Sequence, residues 1–286
     1  MSAMRHLTTQ LLSLLSRQKK IREPMTPKDD IVADEATTTD DFLGGAVKLI
    51  QPVDGYRVSM DTVLLAASIP AKRGDKVLEG GVGSAGAAIC LAQRVPGVKL
   101  YGIEIQADML ALGKQNVVQN SLEKQVSLSE GCITDLSGPQ SGYDHVMLNP
   151  PYLPAGKAIR PPSQSKGIAH MDGNASLKDW VRFAVHNAKQ KGTVTIVHRA
   201  DRLDELLAHL YRRVGELKIL PLWPREGRSA KRVIVQGRKG VHGATSILPG
   251  LALHGDTERY TAEAHKILWH GEALDLKAFA RTAQSS

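Results

Sequence analysis

Short apolar runs and helical patterns alternate along most of the chain. The runs with the length of buried strands are residues 76–79, 99–104, 126–129, 143–148, 193–197, 218–222 and 232–235. Helical periodicity is found at residues 60–69, 85–95, 107–120, 177–189 and 203–214. Strands separated by helices predict an α/β fold with a mostly parallel seven-stranded sheet flanked by helices. The last two strands lack a helix between them, which predicts an antiparallel pair at the sheet edge and an antiparallel last strand.

The composition changes near residue 42 and divides the chain into three predicted parts. Residues 1–41 are predicted to be an N-terminal extension, partly helical and then a polar, acidic, flexible linker. Residues 42–245 form the main domain, which opens with a short strand or hairpin at 44–52, and residues 246–286 form a C-terminal extension packed on or near it. No apolar run approaches the roughly 20 residues that span a bilayer, so the sequence excludes an integral membrane protein.

The charge of the chain favours a polyanionic partner. Its 286 residues contain 37 Lys and Arg against 29 Asp and Glu, a formal net charge of +8. Such an excess suits nucleic acid, although basic enzymes of small metabolites also carry it. The two cysteines, Cys90 and Cys132, lack the paired spacing of a disulfide framework or a zinc site, so we expect no metal and a reducing, cytoplasmic location.

A glycine-rich turn lies between the first of these strands and the helix after it. Residues 81–86 read Gly-Val-Gly-Ser-Ala-Gly, and glycines let a backbone turn tightly and approach a ligand closely. Glu104 ends the next strand about twenty residues later, where a carboxylate can accept hydrogen bonds from both ribose hydroxyls. Together they predict an adenosine-type ligand. The same spacing fits a dinucleotide, but Glu79 would repel a pyrophosphate and suit the cationic amino group of a methionine moiety.

The strand at 143–148 runs directly into Asn149, Pro150, Pro151 and Tyr152, at the edge where ligands of open α/β folds bind. Two consecutive prolines have fixed φ angles and no N–H groups, so the loop is stiff and presents acceptors. The Asn149 side-chain oxygen and the Pro150 carbonyl can accept hydrogen bonds from one NH₂ group, and Tyr152 can stack on a planar base. On adenine such acceptors free the amino lone pair to attack a methyl sulfonium, so these four residues are predicted to be catalytic.

The sequence with these motifs resembles the class I S-adenosylmethionine-dependent methyltransferases, and among them the tRNA (valine) adenine-N6 methyltransferases. The similarity extends from residue 42 to the C-terminal region. Besides the glycine turn and the tetrad, it rests on residues 55–66, 196–203 and 229–240. The resemblance implies a Rossmann-like fold, S-adenosylmethionine as the cofactor and an adenine amino group in a tRNA anticodon loop as the methyl acceptor.

The resemblance also implies which residues contact the cofactor. Glu104 would accept from the ribose, and residues 79–83 would line the methionine side. Three positions depart from the family pattern, because Glu79 and Cys132 stand where an aspartate is usual and Ala85 replaces a glycine. The implied cofactor-binding residues are Glu79, Gly80, Gly81, Gly83, Glu104, Ile105, Cys132 and Ile133.

Basic residues in three segments are candidate RNA contacts. One segment is the long loop after the tetrad, another is the end of the strand at 193–197, and the third surrounds the last strand pair. Their cations can neutralise phosphates, although a solvated surface is the alternative interpretation. The candidates are Lys157, Arg160, Lys166, Arg199, Arg228, Lys231 and Lys239.

Several functions remain open at this point. The tetrad recognises any planar amino group, so guanine N2 in ribosomal RNA, adenine in DNA and a protein glutamine amide all fit it. A nicotinamide-dependent dehydrogenase and a catalytically inactive RNA-binding adaptor are further alternatives. The sequence predicts neither the target nucleotide nor whether the protein is a monomer or a homodimer.

Overall fold

The strands of the computed structural model form one large sheet and one separate hairpin. The structure describes residues 37–136, 138, 142–152 and 175–282. The chain divides into two compact units, Met1–Glu35 and Ala36–Ser286, and the first lies outside the described residues. The second unit begins six residues before the start that the composition predicts.

The described part alternates strands and helices as the apolar pattern predicts. The strands are β1 (Thr37–Phe42), β2 (Val47–Pro52), β3 (Lys76–Gly80), β4 (Lys99–Glu104), β5 (Val126–Glu130), β6 (Tyr143–Leu148), β7 (Ala188–Arg199), β8 (Val214–Trp223), β9 (Arg232–Lys239), β10 (Ser246–Ile247) and β11 (Leu251–Ala252). The helices are α1 (Met60–Ser68), α2 (Gly86–Arg94), α3 (Ala107–Gln119), α4 (Leu177–Asn187), α5 (Leu203–Leu210), α6 (Ala262–His270) and α7 (Leu276–Thr282).

All seven predicted strands lie in one sheet, with the order β10-β8-β9-β7-β6-β3-β4-β5. Strands β3 to β7 pair in parallel, and β9 is antiparallel to both β7 and β8, which confirms the mostly parallel sheet with an antiparallel last strand. The prediction that the last pair forms the sheet edge is wrong. Val233, Ile234 and Val235 are buried, so β9 lies inside the sheet, and β10 and β11 pair with the outer side of β8.

The hairpin of β1 and β2 corrects the predicted linker. Residues 37–41 were expected to be flexible because they are polar, yet they pair with β2 along its whole length. Polar side chains of this strand form hydrogen bonds instead. The Asp40 carboxylate accepts from Gln51 Nε2 at 2.6 Å and from the Arg57 guanidinium at 2.6 Å, which ties the strand to the segment before α1.

Helices cover both faces of the sheet. Helices α1, α2 and α6 contribute buried residues to one apolar cluster, and α4 and α5 contribute to the other. Each buried Leu or Phe side chain in such layers stabilises the fold by about 1.5–3 kcal/mol. Among the described residues, none of the helices is both long and apolar enough to cross a membrane.

Helix α4 is placed by its first turn. The Ser176 hydroxyl accepts from the Asp179 N–H, and the Asp179 carboxylate accepts from the Ser176 N–H, so two otherwise unpaired donors are satisfied. The helix then packs Trp180 and Phe183 beneath the end of β3. This contact determines which residues the turn after β3 can accommodate.

Candidate active site

The glycine turn and the tetrad begin side by side at one edge of the sheet. Gly80 pairs with Leu148 across β3 and β6, and Gly80 also pairs with Ile103 on β4. Gly81 and Asn149 are therefore the next residues on neighbouring parallel strands, which are spaced about 4.8 Å apart. Glu104, the last residue of β4, lies at the same edge. The structure brings these three predicted elements together.

The glycine turn is shaped by its backbone and by α4. Gly81 has φ +64°, and a Cβ placed there would lie 2.5 Å from a ring carbon of Trp180. Gly83 has φ +54°, but the nearest atom to its Cβ would be Met109 Cε at 3.8 Å. The turn is thus packed tightly on the Trp180 side and open at Gly83, where a ligand can approach. Ala85, which replaces a family glycine, also has a left-handed backbone, with φ 66°.

The Glu104 carboxylate is held in place by backbone donors. One oxygen accepts from the Gly83 N–H at 2.8 Å, and the other accepts from the N–H groups of Ile105 and Gln106, both at 3.0 Å. Each carboxylate oxygen has two lone pairs, so Oε2 keeps a free acceptor site beside the turn. Glu104 is therefore oriented to receive a further donor such as a ribose hydroxyl.

Glu79 is a buried carboxyl group without a full set of partners. Its side chain is 4% exposed, and Oε2 has no hydrogen-bond partner among the described residues. Burial, followed by the nearby Glu104 charge, raises the pKa of Glu79 well above its usual range. A buried acceptor of this kind is costly unless a donor or cation meets it. Glu79 thus fits the amino group of a methionine moiety.

The remaining predicted cofactor residues lie beside the end of β4. Gly131 donates its N–H to the Glu104 backbone carbonyl at 3.1 Å, which places the next residue, Cys132, beside the end of β4. The Cys132 sulfur lies 2.9 Å from Thr134 Oγ1. Ile133 is buried in the core cluster below α4, and Ile105 is half-buried. The side chain of Cys132 is half-buried as well, so it neither fills the core nor projects freely into solvent.

Asn149 is held by two tyrosines. Its Nδ2 donates to the Tyr56 hydroxyl oxygen at 3.0 Å, and its Oδ1 lies 3.0 Å from the Tyr152 hydroxyl. The Tyr152 hydroxyl donates to Asp61 Oδ2 at 2.7 Å. Burial and then the Asp61 charge raise the pKa of Tyr152, so its hydroxyl stays protonated and acts as a donor. These bonds fix the orientation of the amide.

Arg232 completes this network from the far end of the chain. Its Nε donates to Asp61 Oδ2 at 2.7 Å, and its guanidinium carbon lies 4.4 Å from the centroid of the Tyr152 ring. The guanidinium therefore covers one face of the Tyr152 ring. The sequence predicted no role for Tyr56 or Asp61 and placed Arg232 only in the basic cluster around the last strand pair, although residues 55–66 and 229–240 carry part of the family resemblance.

His198 lies next to this network at the end of β7. Its side chain is 1% exposed, and both ring nitrogens lack partners among the described residues. Burial, then the charge of Arg202, lowers its pKa to about 4, so the ring is neutral near pH 7. Its centroid lies 5.6 Å from that of Tyr152.

The predicted RNA contacts do not form one surface. Arg199 pairs with Arg232 across β7 and β9 at the tetrad edge, and Arg228 and Lys231 are exposed just before that point. The sequence predicted Lys239 to lie with Arg228 and Lys231 around the last strand pair. Lys239 lies at the other end of β9, away from both. Its ammonium donates to the carbonyls of His186 and Ala188 at 3.1 and 2.8 Å. Because β9 is antiparallel to β7, Lys239 lies at the edge of the sheet opposite the tetrad. Lys157, Arg160 and Lys166 lie outside the described residues.

Comparisons with known proteins identify the part of the chain that carries this edge. Residues 77–158 match a family described as "Methyltransferase domain". This range contains the glycine turn, Glu104 and the tetrad, which lie together at one edge of the sheet.

Relatives named tRNA1(Val) (adenine(37)-N6)-methyltransferase align with the chain. The protein of Aeromonas salmonicida is 28% identical over 152 residues, which cover 53% of this chain and 63% of that relative. The protein of Bacteroides thetaiotaomicron is 24% identical over 71% of this chain and 86% of its own length. A release factor glutamine methyltransferase of Geobacter sulfurreducens is 31% identical over 40% of each chain.

A solved structure described as a predicted O-methyltransferase from Agrobacterium tumefaciens shares the fold. It covers 75% of this chain and 98% of its own, with a TM-score of 0.62 and 20% identity. The chain therefore has the same α/β fold as that structure, as the resemblance of its sequence motifs implies, and residues 77–158 are similar to a methyltransferase domain.

Proposed function

We propose that the protein is an S-adenosylmethionine-dependent N-methyltransferase that acts on the exocyclic amino group of adenine in RNA, in the anticodon loop of a tRNA. The observation that carries this proposal is the register of β3 and β6, which sets Gly81 beside Asn149. A cofactor at the glycine turn and an amine at the tetrad would then be immediate neighbours. Methyl transfer requires this proximity, because the reacting atoms must approach in line.

The residues around the turn fit S-adenosylmethionine. The unpartnered Oε2 of Glu79 suits the amino group of the methionine moiety, Glu104 suits the ribose, and the open space at Gly83 leaves room for close backbone approach. When bound, S-adenosylmethionine supplies the electrophilic methyl group. Cys132 and Ile133 follow the end of β5 and are proposed to border the adenine.

Asn149 and Pro150 are proposed to hold the substrate amine. A side-chain amide oxygen has two lone pairs, so Asn149 Oδ1 can accept from an NH₂ group even though the Tyr152 hydroxyl lies 3.0 Å from it. The Pro150 carbonyl supplies the second acceptor. Two acceptors on one NH₂ group draw its nitrogen toward tetrahedral geometry, which makes the lone pair available for attack.

RNA as the substrate is supported by the names of the relatives and by the charge of +8. An unpaired base in a loop enters a pocket without the cost of breaking a duplex pair. Arg199, Arg228 and Lys231 at the tetrad edge are proposed phosphate contacts. We place this activity in the cytoplasm. The methyltransferase match argues against the dehydrogenase alternative.

A second candidate acceptor is a protein glutamine. The specific observation for it is the 31% identity to a release factor glutamine methyltransferase, over a region equal to 40% of the chain. A glutamine amide carries the same planar NH₂ group that the tetrad would bind. The two candidate functions differ in the methyl acceptor and share S-adenosylmethionine as the methyl donor.

Replacement of Asn149 tests the proposed chemistry. Asn149→Ala removes an acceptor that acts on the nucleophile in the transition state, so kcat on unmethylated tRNA should fall by roughly 10²–10³-fold. Affinity for S-adenosylmethionine should change little. The control is Asn120→Ala, because Asn120 binds the backbone of β2 and of α3 and lies away from the tetrad. An unchanged kcat in Asn149→Ala would remove the proposed role of the tetrad.

A further inference from the structure

A cavity of about 500 Å³ opens at the opposite edge of the sheet from the tetrad. It lies where β6 and β7 begin and where β9 ends. Asp144 lines it and lies five positions before Asn149 along β6, which corresponds to about 16 Å along a strand. Its basic lining residues are Lys72, Lys189, Lys191, Lys218, Arg238 and Lys277.

The carboxylates of the cavity are already engaged. Asp144 pairs with Lys189, and Glu216 pairs with Arg238 at 3.0 Å. Asp75 Oδ2 lies 3.1 Å from His145 Nε2. Lys189 and Arg238 neutralise two of these three lining carboxylates, whereas burial lowers the pKa of His145, so Asp75 faces a neutral imidazole and keeps its charge. The six Lys and Arg residues of the lining still outnumber its three carboxylates. Residues 137–141, which precede β6, include neither Asp nor Glu.

Four lysines remain without an ion pair within the described ranges: Lys72, Lys191, Lys218 and Lys277. Lys218 is half-buried, and the other three are exposed at the rim. Burial and then the charge of Lys277 lower the pKa of Lys218, against the opposing effects of Asp275 and Glu216, with Arg238 adding to the lowering. Like charges that converge on a half-buried ammonium repel one another. An anion in the cavity would remove that repulsion.

We propose that this cavity is a phosphate-binding site, separate from the methyltransferase site. Lysine ammonium groups are mobile point charges that suit phosphate oxygens, and nine of the fourteen lining residues are Lys, Arg, Asp or Glu. The volume lies within the roughly 300–1,000 Å³ of ligand sites, so it accommodates more than one phosphate group. The phosphates come either from an RNA backbone that reaches this edge or from a free nucleotide or polyphosphate.

The test compares two double variants of the full chain. Lys218→Ala/Lys277→Ala removes two of the unpaired charges, and Lys114→Ala/Lys266→Ala removes the same charge from exposed positions on α3 and α6 that do not line the cavity. Inorganic triphosphate binding is measured by calorimetry, and unfolding midpoints in urea check the folded state. The cavity variant should bind triphosphate at least tenfold more weakly than the wild type, and the control should match the wild type.

Binding of a tRNA transcript at several salt concentrations identifies the source of the phosphates. If an RNA backbone occupies the cavity, the cavity variant loses affinity for tRNA, and its salt slope becomes shallower by about two. If tRNA binding is unchanged while triphosphate binding is lost, the ligand is a free phosphate compound. Triphosphate that fails to bind the wild type, or that binds both variants equally, overturns the proposal. Should the double variant unfold, Lys277→Glu at the exposed rim serves the same comparison.

Discussion

Trp180 lies directly against the turn after β3, and this contact explains why Gly81 is needed in addition to its positive φ. The sequence predicts a glycine turn there because the pattern is local and follows a strand. It cannot predict the contact with Trp180, because the two residues are separated by about a hundred positions. The same holds for Asn149, whose role was inferred from its own loop, whereas its partner Tyr56 comes from far upstream.

Two glycine substitutions separate backbone strain from packing. Gly81→Ala and Gly83→Ala both place a Cβ in a left-handed conformation, which costs about 1–2 kcal/mol. Only Gly81→Ala adds a clash with Trp180, for which overpacking costs about a further 1–3 kcal/mol. Urea unfolding should therefore show a larger loss of unfolding free energy for Gly81→Ala. Equal losses would mean that Trp180 does not constrain the turn.

The order and type of the elements follow from apolar periodicity, which predicted seven strands of the nine-stranded sheet and missed the two-residue strands β10 and β11. The periodicity did not predict that the antiparallel pair of β8 and β9 lies one strand in from the edge. The strands β10 and β11, which pair with the outer side of β8, are too short to show a period. β1 was missed because its pairing polar residues, such as Asp40, resemble a linker in composition. Helix α1 and strand β9 also meet through Asp61 and Arg232, a contact across 171 positions.

The ion pair between α1 and β9 is expected to position the tetrad. Asp61→Asn keeps the size of the side chain but removes the negative charge that attracts the Arg232 guanidinium, and it leaves a weaker, neutral acceptor for the Tyr152 hydroxyl. We expect kcat to fall roughly 10- to 100-fold, because small misplacements at a reacting centre are costly, while affinity for S-adenosylmethionine stays the same.

A double-mutant cycle distinguishes positioning from general destabilisation. If Asp61 acts through Arg232, the double variant Asp61→Asn/Arg232→Gln should lose little more activity than either single variant, since coupled residues are not additive. Asp41→Asn, which breaks the exposed pair with Lys48 on the hairpin, serves as the control and should leave kcat unchanged. Additive losses in the cycle would contradict the positioning role.

At the scale of the whole molecule, the sheet separates two chemical environments. One edge carries the turn, Glu104 and the tetrad, and the other carries the lysine-lined cavity. Net charge indicates a polyanionic partner but cannot locate it, because the fold distributes the basic residues of one sequence segment, such as Arg232 and Lys239, to opposite edges. The methyltransferase fold was predictable from motifs in order along the chain, whereas the second basic site depends on residues from five separate elements and loops.

The central claim is that a rigid loop at the tip of β6 holds an adenine amino group beside the cofactor at the tip of β3. Its most direct test is nucleoside mass spectrometry of tRNA lacking native methylation, after incubation with the protein and methyl-deuterated S-adenosylmethionine. We predict labelled N6-methyladenosine with the wild type and only background label with Asn149→Ala. Label in another nucleoside, or none in the tRNA, would contradict the account.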